Sequence, residues 1–257
     1  MICGLTFDDV ERNVNTAMAR TRPTRRFQNI AQAAIESFTE FGYRRCKMAD
    51  VANRMGIAPG TLYLYVKSKE ALFDLAIRYT LHKGRGEELP TPQELPLMEP
   101  DFDSTLEQLK AQFQHDQQTM AIYTVDMETQ PRDARSEFMT LIGEVYDQME
   151  QWRLGIRLLN SSVLDHPELA QVWMTQGRQP LYAQVSRYLM IRSRQGLVRP
   201  MLEPKAAAVM LLDTCSSFAI YPQRHRSRLD YDPKHGRATV LDLLAHAFIR
   251  AEHIKHR

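Results

Sequence analysis

Apolar residues recur at intervals of three or four along most of this chain, and no sustained period-two run or Asn-Gly or Asp-Gly hairpin turn interrupts them. That spacing places successive side chains on one face of a helix, whereas a strand would need alternation. The pattern therefore predicts an all-α fold. Phe27, Ile30, Ala34, Phe38 and Phe41 mark a first helix that Gly42 ends. Met48, Val51 and Ala52 mark a short second helix ending near Gly56, and Pro59 to Val66 a third. Ser68 can cap a fourth, whose core face is Leu72, Leu75, Ala76 and Tyr79.

Four prolines, Pro90, Pro92, Pro96 and Pro100, then forbid a helix through "KGRGEELPTPQELPLMEPDFD", residues 83–103. This stretch reads as a linker, and helical spacing resumes beyond it. Phe138, Leu141, Val145, Met149, Trp152, Ile156, Leu159 and Val163 predict one long helix over about 136–164. "DHPELAQVW" restarts a helix with Pro167 in its first turn, and Pro180 is expected to break or kink the helical segment around it. Two apolar helices, about 205–220 and 238–254, close the chain. The expected organisation is an N-terminal extension over 1–22, a small helical head over 23–82 and a larger helical body over 83–257. The extension, with residues 1–17 as its least ordered part, is expected to lack fixed structure.

Charge separates these parts. The net charge is +2, yet residues 18–83 carry 12 Lys or Arg against 5 Asp or Glu. A basic head on a mildly acidic body points to a polyanionic partner, with nucleic acid the first candidate. Other classes find no support. Three scattered cysteines, Cys3, Cys46 and Cys215, form neither a disulfide framework nor a zinc spacing, and suit a reduced cytoplasmic compartment. No apolar run is long enough to span a membrane, and the first residues lack a secretory pattern. No nucleophile elbow, phosphate-binding glycine loop or HExxH motif is present, so no enzyme is expected. His246, His253 and His256 match no metal spacing, and neither metal nor cofactor is expected.

The second and third helices, joined at Gly56-Ile57, form the short helix, glycine turn and short helix of a helix-turn-helix. The full string "GYRRCKMADVANRMGIAPGTLYLYVKSKEALF", residues 42–73, resembles the DNA-binding domain of the TetR family of transcriptional regulators. The matching elements are Gly42, "ADVA", "MGI", "GTLYLYV" and "KSKEALF", within a resemblance covering about residues 25–80. It implies a homodimer with a DNA-binding head and a ligand-binding, dimerising body, usually a repressor released by a small molecule. It also implies that Pro59, Gly60, Thr61 and Leu64 face base edges. Tyr63 would lay its ring on a thymine methyl and its hydroxyl on a phosphate. Tyr65, Lys69 and Lys47 would meet phosphates, while Leu62, Val66 and Leu72 are core. Arg25 and Arg26, with Arg20 and Arg22, could form a basic arm to the minor groove.

The chain departs from the family at the helix starts. Cys46 and Lys47 stand where a Ser or Thr usually caps the second helix, and Ala58 where a Ser precedes the third. A missing hydroxyl cap costs about 1 kcal/mol. Ala49 sits where a long polar side chain often reads a base.

In the body, Met127, Met149, Trp152, Trp173 and Asp213 are candidate contacts for a small apolar or amphipathic ligand, although methionine and tryptophan at helical spacing also build plain cores. Ala207, Leu241, Leu244 and Phe248 are the candidate dimer contacts. Two rival readings remain: a DNA-binding dimer without an inducer, and a helical ligand carrier or enzyme with a vestigial head.

Overall fold

The computed structural model describes residues 26–87, 95–98, 100–222 and 231–253. Among them, regular structure is helical, with two isolated bridges and no named strand. The chain divides into two compact units, Met1–Thr105 and Leu106–Arg257. The division lies beyond the expected linker, because the described linker residues pack onto the head.

The first unit holds α1 (residues 26–41), α2 (Met48–Arg54), α3 (Pro59–Leu62) and α4 (Lys69–Gly84). The α1 stripe is core as its spacing predicts: Phe27, Ile30, Ala34 and Phe38 are buried, and Phe41 half-buried. Phe38 meets Phe73 of α4 edge-on at 5.2 Å between centroids. Burying a phenylalanine contributes about 1.5–3 kcal/mol, so this pair anchors the unit. Ser68 caps α4 by accepting from the Ala71 N–H at 3.0 Å. Residues 71–77 of α4 are all buried, well beyond the predicted stripe. That includes Asp74, which is paired with Arg78 and with the hydroxyl of Thr105.

The third helix is shorter than its sequence suggests. It ends at Leu62, and residues 63–65 form a tighter turn, with Leu64 N–H to Thr61 O and Tyr65 N–H to Leu62 O. The reason lies some thirty residues away. Leu97 donates to Tyr65 O and accepts from Lys67 N–H, both at 2.8 Å, making a parallel bridge with Val66. Extended pairing of residues 65–67 is incompatible with helical backbone there.

In the second unit, α5 (Phe102–Thr119, its first turn in the first unit), α6 (Ala121–Thr124), α7 (Ala134–Gln151) and α8 (Arg153–Ser162) come first. The long helix expected over 136–164 is therefore two helices, broken at Trp152, which leaves helical geometry at φ −89°, ψ 6°. Next come α9 (Pro167–Val172), a π-helical segment Trp173–Arg178, α10 (Gln179–Arg194), α11 (Pro204–Ile220) and α12 (Pro233–Phe248). Pro180 does not end the helix, because residues 167–194 run on without a break in helical backbone. The hydrogen-bonding pattern changes instead, with the π-helical segment Trp173–Arg178 directly before α10 and its proline, whose missing N–H removes one helical bond. The core joins Phe138 and Val145 of α7, Val185 and Leu189 of α10, Leu211 and Cys215 of α11, and Leu241, Leu244 and Phe248 of α12.

One buried cation organises this core's edge. Arg192 is 1% exposed and holds Glu137 through two hydrogen bonds of 2.8 and 2.9 Å. Its remaining donors reach Asp126 O, Thr129 O and the Gln195 side chain. A buried guanidinium is tolerable only when paired and hydrogen-bonded in this way.

Candidate nucleic-acid interface and body residues

The helix-turn-helix is built from backbone geometry outward. Gly56 adopts φ 65°, a left-handed conformation that favours glycine, and Ile57 N–H returns to Ala52 O at 3.0 Å. This reverses the chain between α2 and α3. Pro59 starts α3 abruptly after Ala58. The hydroxyl cap missing from α2 is replaced in part by Asp50, whose carboxylate accepts from the Lys47 N–H at 2.8 Å. The orphan donor is satisfied from inside the helix, half of a capping box.

Leu62 and Val66 are buried, anchoring α3 and its following turn, and Pro59, Gly60, Tyr63 and Leu64 face solvent. Leu64 is 67% exposed and Tyr63 42%. Two large apolar groups left side by side in water are costly unless a partner covers them. Thr61 is half-exposed beside them. The structure thus brings Pro59, Gly60, Thr61, Tyr63 and Leu64 to one open surface.

Tyr65 and Lys69 stand differently. The Tyr65 ring packs edge-on against Phe27 at 6.2 Å and is half-buried, because the tight turn after Leu62 rotates it inward. The Lys69 ammonium donates to Arg44 O at 3.2 Å and Cys46 O at 3.1 Å, and lies 4.5 Å from the Tyr43 ring centroid. Both therefore hold the head together, whatever else they touch. Lys47 is exposed at the start of α2. Arg26 is half-buried, with Nε lacking a hydrogen-bond partner, while Arg20, Arg22 and Arg25 lie outside the described residues.

Sequence spacing alone assigned no role to Tyr43, Arg44 or Lys67. Tyr43 bonds Glu70 at 3.1 Å and packs on Phe73 at 4.9 Å, joining the loop after α1 to the start of α4. Because Lys69 ties that loop to α4, exposed Arg44, Lys47 and Lys67 flank the same region. The signal available in sequence was their shared positive charge. Cys46 is buried, and burial pushes its thiol up to about 11, so it is an inert core group.

The body residues do not form the single site expected of them. Met127 is buried where its carbonyl accepts from Arg192 and Gln195, at the far end of α10. Trp173 precedes α10 and donates to Asn160 at 3.1 Å. A helix rises about 1.5 Å per residue, so some twenty residues put the two far beyond one small ligand. Met149 and Trp152 are half-buried. Asp213 is exposed and accepts from the Tyr182 hydroxyl at 2.7 Å, so it lies on the outside of α11.

The dimer residues need a similar correction. Leu241, Leu244 and Phe248 are buried inside the protomer, since α12 turns that stripe onto α7 and α11; Phe248 stacks on Phe138 at 5.9 Å. Ala207 is half-buried. The exposed large apolar residues of these two helices are Val209 and Met210 on α11 and Leu243 on α12, the last 63% exposed. No helix among the described residues is long and apolar enough to cross a membrane, and none of their His, Cys, Asp or Glu side chains gather into a group of three able to hold a metal.

Comparisons with known proteins bear on the first unit. The family model for bacterial regulatory proteins of the tetR family matches residues 30–76. An HTH-type transcriptional regulator of Bacillus subtilis, YhgD, is 47% identical over 45 residues, covering 18% of this chain and 24% of the relative. The fatty acid metabolism regulator protein of the same organism is 40% identical over 53 residues, covering 21% and 26%. The chain thus spans about a quarter of the length of these curated relatives. The solved structure of the ketosteroid transcriptional regulator KstR2 of Mycobacterium tuberculosis is similar over 88% of this chain and 95% of that one, at a TM-score of 0.53 and 15% identity, a likeness of fold. With the α2–α3 geometry, the match over 30–76 settles the head: it is the helix-turn-helix domain of the tetR family of bacterial regulatory proteins.

Proposed function

We propose that the protein is a transcriptional repressor that binds a palindromic operator as a homodimer and leaves it when a small molecule binds its helical body. The observation that carries the reading is the solvent-facing Tyr63 and Leu64 in the tight turn that ends the second helix of the motif in a tetR-type head. In the major groove, a leucine and a tyrosine ring read thymine methyl groups by apolar contact. Exposed Arg44, Lys47 and Lys67 on either side supply charge for phosphates, which position the protein without reading sequence.

Dimerisation through α11 and α12 is supported by the exposed Val209, Met210 and Leu243. A two-fold dimer presents two recognition helices to half-sites one helical turn, about 34 Å, apart. A ligand that favours a conformer with another spacing weakens both contacts together. Coupling of about 1–3 kcal/mol is typical of such linkage and corresponds to a 5- to 150-fold loss of affinity. The name of the fatty acid regulator carries no ligand across, because that match is confined to 53 residues.

The test is a gel shift with the full-length protein and the DNA upstream of its own gene. A discrete complex that survives excess nonspecific DNA supports the reading. Binding that any DNA of equal length removes equally well would refute it.

A further inference from the structure

The helical body holds a carboxylate in an unusual position. Asp116 lies on the inward side of α5, half-buried. Its Oδ1 accepts from the carboxamides of Gln112 at 2.8 Å and Gln148 of α7 at 3.2 Å. Gln112 is itself buried. Both donors are neutral, and among the described residues no Lys or Arg pairs with this carboxylate. Burial pushes Asp116 above the usual carboxylate range, and the two amide bonds, with the neighbouring His115, only partly offset it. Withdrawing a carboxylate from water is costly, and an apolar residue here would hold α5 to α7 without that cost.

The surroundings on α5 suit an organic cation. Phe113, one turn before Asp116, packs against Trp173 at 5.7 Å between centroids. Gln117, the next residue, donates to Gln176 O at 2.8 Å and so fastens the π-helical segment Trp173–Arg178 beside it. Such π turns are rare and recur at functional sites. At Gly177 even a methyl group would come within 2.7 Å of the Trp173 ring and 2.9 Å of Phe113, so the backbone closes directly on this aromatic pair. An aromatic face beside a carboxylate attracts an ammonium group twice, through the ring quadrupole and through the charge.

We propose that Asp116, with Gln112, Gln148 and the Phe113–Trp173 pair, is the recognition point for an amine-bearing amphipathic ligand. The ammonium bonds the free lone pairs of the carboxylate, and its apolar part lies along the two rings. The proposal rests on the reading that the body binds a releasing small molecule, and it names that molecule's charge.

Trp173 is a built-in reporter. Its fluorescence, in full-length protein carrying Trp152→Phe, is followed against decylammonium, decanol and decanoate, each below its micellar concentration. Decylammonium is expected to bind at least tenfold more tightly than decanol, with decanoate weakest. Asp116→Asn keeps an acceptor for both glutamines and remains folded by circular dichroism, and it is expected to erase the preference for the ammonium. Decanoate or decanol binding best and releasing DNA would overturn the cation assignment and leave the releasing-ligand reading standing. So would an Asp116→Asn protein that keeps the full ammonium preference. If none of the three binds or loosens DNA, both fall.

Discussion

Lys69 offers the sharpest prediction, because the family resemblance and the structure assign it different work. The resemblance makes it a phosphate contact. In the structure its ammonium already bonds Arg44 O and Cys46 O and sits against Tyr43. Lys69→Met keeps much of the aliphatic stem and removes the charge. A hydrogen bond to a charged group contributes about 1.5–3 kcal/mol, and a cation–π contact at an exposed site about 0.5–1 kcal/mol. Both bonds here are long and the side chain is half-exposed, so water recovers much of the loss. The net destabilisation should be about 2 kcal/mol. Urea unfolding of the full-length protein measures it with two probes. Far-ultraviolet circular dichroism follows helices in both units, whereas Trp152 and Trp173 both lie in the second. The dichroism transition should shift to lower urea and the fluorescence transition should move less. Leu64→Ala, which removes an exposed side chain, should move neither. An unchanged unfolding curve for Lys69→Met, with DNA affinity reduced equally on all sequences, would refute this reasoning.

Arg192→Met should cost about 3–5 kcal/mol, the range for breaking one side of a buried ion pair, and adding Glu137→Gln should recover part of it in the same urea assay. Leu243→Glu should yield folded monomers by light scattering, whereas Leu244→Glu, placed in the protomer core, should instead lower the melting temperature; an intact Leu243→Glu dimer would remove α12 from the interface. Asp116 makes stability depend on pH. Its folded-state pKa is raised, so the folded protein binds this proton more tightly than the unfolded chain, and the group's penalty is fully present above the raised value and fades as pH falls through it. Its titratable neighbours are His115, whose charge favours the carboxylate, and Tyr123, beside the carboxamides of Gln112 and Gln148. Asp116→Asn should therefore stabilise the protein at neutral pH, and the gain should vanish in acid; a gain independent of pH would contradict that origin.

What the sequence could reveal was whatever depends on neighbours a few residues away. The α1 stripe, the Gly56 turn and the Ser68 cap are local, and each stands where its spacing placed it. The end of α3 was not legible, because Leu97 imposes it from the linker. The α12 stripe was seen, yet Leu241, Leu244 and Phe248 would look the same against a partner as against α7 and α11. Only the packing partner decides, and that left Leu243 as the outward residue. Asp116 resembled any polar residue of an amphipathic helix until Gln148 of α7 closed over it.

The central claim, that the face of Leu64 and Tyr63 reads DNA, is tested most directly by binding-site selection with full-length wild type and Leu64→Ala. Wild type should enrich an inverted repeat whose half-sites lie about one helical turn apart, with thymine favoured under Leu64. Leu64→Ala should flatten the preference at one or two base pairs by about 1 kcal/mol each and leave the salt dependence of binding unchanged. Selection that enriches no repeat, or an identical profile from Leu64→Ala, would contradict the account.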